Sequence, residues 1–255
     1  MISAPLALGI IQDERAMLAA IEMAQSSIGA HYAKPSLIVG REKRIRVEVL
    51  SRFFASALSW GVPSLYVSIG GDISPAVRAR SLARSTQESI ALSLVYQLSP
   101  LGARVEDLLA FHAEAEDLLG VSVRAMFVDS LDLLNTSAGS WDTRYDDRED
   151  FVYTRVAAYL SGRKLLFWST DSIRRGFTPT GQISDLYGVS GSARKTGIAG
   201  YILLAERAIR RGSEPVQLRI LGSNFCPDCV TLGSFSLDYG ITRIAPQILR
   251  VDRVR

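Results

Sequence analysis

Cysteine is almost absent from this 255-residue chain, with only Cys226 and Cys229 in the run Cys226-Pro227-Asp228-Cys229. That excludes a disulfide framework, and a single C-x-x-C is half a zinc ribbon or one redox pair. No second pair exists, and the two histidines, His31 and His112, lie far away in sequence. No metal site is therefore expected, and the turn of a β-hairpin asks least of these cysteines. Long apolar runs are missing too: none reaches the roughly 18–20 residues needed to cross a bilayer. Residues 1–9 have no basic segment ahead of their apolar ones, so a cytoplasmic location is expected and no membrane partner. Nor is there a large excess of one charge. Lys+Arg 29 against Asp+Glu 26 leaves +3, which permits a polyanionic partner without demanding one. What is present is a globular composition, 47% hydrophobic and 22% charged, sufficient at this length to bury a core.

Apolar β-type runs alternate with helical stretches, the pattern of a mainly parallel central sheet flanked by helices, so the fold class is α/β. Leu37-Ile38-Val39 reads as the first buried strand. Residues 47–60 follow as an amphipathic helix with Val49, Leu50, Phe53, Phe54, Ala57 and Leu58 on one face, closed by Gly61. Leu65-Tyr66-Val67 is the second strand, and Ser74-Pro75 opens the next helix. Residues 86–98 and 102–119 read as helical. Ala125-Met126-Phe127-Val128 is a third strand ending at Asp129, residues 151–160 a helix, and Leu165-Leu166-Phe167-Trp168 a fourth strand. Two polar stretches, 136–150 and 169–181, are long for ordinary connections, and such loops tend to carry function. After a mixed helical stretch over 183–197, strands at 201–204, 216–221 and 231–237 close the chain. The cysteine turn joins the last two as an antiparallel hairpin. A helix over 10–23 lies in an N-terminal segment (1–34) that could dock on a neighbouring subunit or cover its own sheet. Residues 35–255 read as one domain.

A strand, a glycine turn and a helix are where α/β proteins hold phosphate, because backbone N–H groups and the helix dipole converge there. The pattern G-x-x-x-x-G-K-[ST] can be laid on Gly40-Arg41-Glu42-Lys43-Arg44-Ile45-Arg46-Val47. Only the first glycine survives. Ile45 replaces the second glycine, Arg46 the lysine that reaches the terminal phosphates, and Val47 the hydroxyl that holds magnesium. Gly40, Arg41, Lys43, Arg44 and Arg46 remain phosphate-binding candidates, against the alternative of a solvated basic face. Met126-Phe127-Val128-Asp129-Ser130 has the form of a Walker B element, whose carboxylate holds magnesium through water.

From residue 35 to residue 244 the ordered series of motifs resembles the C-terminal, RecA-like motor domain of DnaB-type replicative helicases. The family's strand followed by Ser-Leu-Glu and a helix with a distant arginine resembles the run Leu65-Tyr66-Val67-Ser68-Ile69-Gly70-Gly71-Asp72-Ile73-Ser74, with Arg78 or Arg80 beyond. Its Asp-Tyr-Leu-Gln-Leu element resembles Asp129-Ser130-Leu131-Asp132-Leu133. Its Leu-Ser-Asp-Leu-Arg-x-Ser-Gly segment is similar to the run from Ile183 to Gly191, followed by a strand reaching Arg207, and the late Thr242-Arg243 also fits.

The resemblance implies ATP with magnesium, single-stranded DNA and a ring or filament of subunits. The departures fall on the catalytic positions. Gly70 stands where the family has its catalytic glutamate, with Asp72 two residues on, and the sensor Ser-Gln becomes Ser169-Thr170 with Asp171 next. The intersubunit finger maps near Arg219. The resemblance also places DNA at the loops after the third and fourth strands. There Arg174 and Arg175 are the first phosphate contacts, with Arg144, Arg148, Arg194 and Lys195 behind them and Trp141 and Tyr145 as candidate base-stacking rings. The expectation is a helicase-like DNA-binding or scaffold subunit in replication or recombination with a hydrolysis-deficient nucleotide site, a pseudo-ATPase. The alternatives are an active ATP-dependent helicase using Arg46, Asp129 and Asp72, and a regulatory protein-interaction module.

Overall fold

The computed structural model describes residues 34–59, 61–82, 92–135, 145–163, 165–173, 193–207, 215–223 and 231–236. Within them the chain forms β1 (Ser36–Val39), α1 (Lys43–Ser59), β2 (Ser64–Ile69), α2 (Ser74–Leu82), β3 (Ser93–Leu98), α3 (Val105–Leu119) and β4 (Ala125–Asp129). A 3-10 turn (Leu131–Leu133) precedes α4 (Tyr145–Leu160), β5 (Leu166–Asp171), α5 (Ala193–Ile198), β6 (Tyr201–Arg207), β7 (Pro215–Ser223) and β8 (Thr231–Ser236). The strands form one sheet in the order β3-β2-β4-β5-β1-β6-β7-β8. The strands from β3 to β6 in that order are all parallel, and β7 runs antiparallel between β6 and β8.

Parallel strands buried on both faces need apolar side chains on both, and alternation sends them to two separate layers. Ile38, Tyr66, Phe127, Trp168 and Leu203 face one layer, where they pack with α1 and α2. Leu37, Val39, Leu65, Val67, Met126, Val128 and Phe167 face the other, covered by α3 and α4. Helix α1 fits its layer because Ile45, Val49, Leu50, Phe53, Phe54, Ala57 and Leu58 fall on one stripe of a 3.6-residue repeat. Phe54 packs against Tyr66 and Phe127 with ring centroids 5.4 and 5.6 Å away, and Phe53 meets Trp168 edge-on at 5.0 Å. The helix closes as Gly61 N–H donates to Leu58 O and Val62 N–H to Ala57 O, the paired bonds that satisfy a helix's last carbonyls.

Several expected boundaries shift. Residues 93–98 are not helical: they form β3, an outer strand whose Leu94, Tyr96 and Leu98 pack on the α3/α4 layer while Val95 joins the other. That period of two was present in the sequence, but the polar residues before it obscured it. Helix α1 begins at Lys43 rather than 47, α4 begins at Tyr145 inside the expected polar loop, and β5 continues through Ser169-Thr170-Asp171. The expected helix over 10–23, the cysteine turn and Thr242-Arg243 lie outside the described residues. No helix among the described residues is long and apolar enough to cross a membrane.

Candidate functional site

Because β1, β2, β4 and β5 are parallel, their carboxyl ends meet along one edge, the place where open α/β sheets hold ligands. Register brings Ser68 of β2 opposite Asp129 of β4 and Val39 of β1 opposite Asp171 of β5. Thr170 Oγ1 donates to Asp129 Oδ1 at 2.6 Å. Asp129 Oδ2 and Ser68 Oγ are buried and accept or donate no hydrogen bond, and Lys43 Nζ stands 4.0 Å from Asp129 Oδ2.

The turn after β1 is short. Gly40, Arg41 and Glu42 alone separate β1 from α1, and the N–H groups of Ile45 and Arg46 already bond to Glu42 O. Ile45, at the position of the second glycine, is inside the helix with its side chain in the core, 1% exposed. Gly40 answers to packing: a Cβ there would lie 2.3 Å from the carbonyl oxygen of Ala205 on β6. Arg46, expected to reach phosphate, turns inward, and its Nη1 donates to Gly40 O. Burial lowers its pKa, against the raising effect of Asp132, Asp171 and Asp129. Arg41 is exposed on the turn and Arg44 is exposed in the first turn of α1.

A second cation is withdrawn entirely. Lys195, expected on the DNA-facing side, is 0% exposed, a correction that follows from what surrounds it. Its Nζ lies 2.7 Å from Asp171 Oδ2 and 3.4 Å from Glu149 Oε1, both buried carboxylates. Asp171 also accepts from Tyr153 OH at 2.7 Å and from Ser172 N–H at 2.6 Å. Burial, with Asp171 beside it, raises the Tyr153 pKa well above its ordinary value. Asp132 receives the Ser130 hydroxyl. Burial first, then Asp171, pushes its pKa up to about 6, against Lys195 and Arg46. Asp129, Asp132, Glu149 and Asp171 thus face Lys43, Arg46 and Lys195, a cluster whose charges nearly cancel within the protein.

The glutamate replacement fares no better. Asp72 accepts the Ser74 N–H at 2.8 Å and so caps the start of α2. Gly70 has φ +62, and a Cβ on it would lie 2.9–3.1 Å from the Pro100 ring, so a glutamate is not accommodated there.

No family model matches the chain, and no curated protein matches it.

Sequence reasoning singled out Asp129, Lys43, Arg46 and Lys195 and missed the Glu149 and Tyr153 side chains that meet Lys195 and Asp171. Tyr153 lies four residues after Glu149 on α4, a helical spacing that puts both on one face. That spacing is the only local sign of the Lys195 cage. Ser68 gave none. Arg144, Arg174 and Arg175 lie outside the described residues, as do the side chains of Arg194 and Arg219. The backbone of Arg219 pairs with Leu204 across β6 and β7.

Among the described residues no group of three or more His, Cys, Asp or Glu side chains is arranged to hold a metal ion. A magnesium–nucleotide of the kind the resemblance implies does not fit these residues. Magnesium takes near-octahedral oxygen ligands. Val47 offers it none, Asp129 faces an ammonium, and the arginine meant for the terminal phosphates is bound to a backbone carbonyl.

Proposed function

We propose that the chain is a helicase-like, RecA-fold subunit that binds single-stranded DNA or scaffolds an assembly of its own copies in replication or recombination, without turning over ATP. The observation that carries the reading is the combination at one sheet edge. A carboxylate ends β4, separated from β1 by β5 alone, at the same sheet edge as the turn after β1, while Arg46 and Lys195 are engaged by the protein's own acceptors. The parallel order β3-β2-β4-β5-β1-β6 with helices on both faces supports the RecA-like fold, and the motif series of the sequence supports the DNA partner. Arg174 and Arg175 follow Ile173 directly in sequence, shortly after the residues that form β5.

Two measurements test the reading. Fluorescence anisotropy with a labelled single strand at increasing salt should show binding that weakens with salt. Arg174→Ala with Arg175→Ala should lower the slope of log affinity against log salt by about 1.4, the share of two phosphate contacts. Steady-state ATP turnover with magnesium and single-stranded DNA should be absent. Turnover stimulated by DNA would establish the active helicase instead, and salt-insensitive absence of DNA binding would leave the protein-interaction module.

A further inference from the structure

The carboxylate at the end of β4 carries an unfinished set of bonds. Asp129 is 1% exposed and Ser68 is 0% exposed. Asp129 Oδ1 has the Thr170 hydroxyl, yet neither Asp129 Oδ2 nor Ser68 Oγ has a hydrogen-bond partner. Both atoms point to one place: a Cβ on Gly71 would lie 2.7 Å from Ser68 Oγ and 2.8 Å from Asp129 Oδ2. The same position is 3.5 Å from Lys43 Nζ. Gly71 thus leaves open a niche on which a carboxylate, a hydroxyl and an ammonium converge, and its loop is held by Gln97 Nε2 donating to Gly71 O at 2.9 Å.

We infer that the Lys43 ammonium is the resident cation of the Asp129 carboxylate and keeps a divalent ion out of this niche. A buried carboxylate oxygen needs a compensating charge. Lys43 supplies it from the first residue of α1, on a side chain half exposed and long enough to move toward Ser68. A divalent ion at Asp129 would stand beside that ammonium and be repelled by it, and Val47 brings no oxygen to replace the lost attraction. The inference deepens the proposed loss of turnover and rests on the same site.

The test uses manganese alone, without nucleotide, titrated into the full chain and followed by the electron paramagnetic resonance of the free ion. Wild type and Lys43→Arg, which keeps the charge, should take up no manganese at millimolar concentration. Lys43→Met, which removes the charge from a solvent-facing position and keeps the aliphatic stem, should bind manganese at least tenfold more tightly. Adding Ser68→Ala to Lys43→Met should weaken that binding. Wild type binding manganese as tightly as Lys43→Met would overturn the inference, and so would a folded Lys43→Met that binds none. Failure of the functional reading appears elsewhere, as ATP turnover or as missing DNA binding, so the two can fail separately.

Discussion

Replacing Lys195 by methionine tests the charge cluster most directly. The substitution keeps an unbranched side chain of similar length and removes the ammonium that sits 2.7 Å from Asp171 Oδ2 and 3.4 Å from Glu149 Oε1. Removing one member of a buried ion pair leaves the other uncompensated and costs about 3–5 kcal/mol. Asp171 retains two donors, Tyr153 OH and Ser172 N–H, which places the expected loss near 3 kcal/mol. With a urea slope of about 2 kcal/mol/M, the unfolding midpoint should fall by about 1.5 M. Asp171→Asn in the same chain removes the stranded charge, so the double variant should be more stable than the sum of the two single losses by at least about 1 kcal/mol. A Lys195→Met loss below about 1 kcal/mol, or strict additivity with Asp171→Asn, refutes the buried pair. The same variant should leave the salt dependence of single-strand binding unchanged, because an ammonium with no solvent exposure cannot meet a phosphate.

Three further outcomes follow from the same reasoning. The Asp132 pKa of about 6 lies above the usual carboxylate value, so its protonated form favours the fold. Its stabilising share is complete below about pH 4 and fades as pH rises through 6. After allowance for partial exposure, Asp132→Asn should be more stable than wild type by about 2 kcal/mol at pH 7 and by much less at pH 4.5, read from urea midpoints. Burial lowers the His112 pKa below its ordinary 6.5, although Glu116 opposes it. Its Nδ1 is 2.9 Å from Tyr159 OH and its Nε2 is buried without a partner. Wild type should therefore lose stability as pH falls below 6.5, whereas His112→Gln should not lose that increment; parallel melting curves at pH 7.5 and 5.5 decide it. Gly40→Ala puts a methyl 2.3 Å from a backbone carbonyl and should cost about 2–3 kcal/mol in unfolding experiments whether or not any phosphate ligand is present.

The layered α/β architecture was readable in the chain because it depends on local periodicity. Runs such as Met126-Phe127-Val128 can only be buried on both faces, and the stripe from Val49 to Leu58 can only face a layer. The strand at Ser93–Leu98 is harder to read because polar residues precede its alternating run and only β2 lies beside it in the described sheet. The gap left by missing hydroxyl and glycine residues between Gly40 and Val47 was equally legible, since those are properties of single positions. What filled the gap was not. Lys195, Glu149 and Asp171 come from three separate elements and meet only because β5 runs parallel beside β1 while α4 and α5 pack together. Likewise, nothing in the order of residues says that Arg46 turns toward Gly40, or that Ser68 and Asp129 share a register across β2 and β4. A residue's capacity for charge is written in its identity, but whether that charge meets solvent, phosphate or a buried carboxylate depends on long-range packing, and there the tertiary structure alone decides.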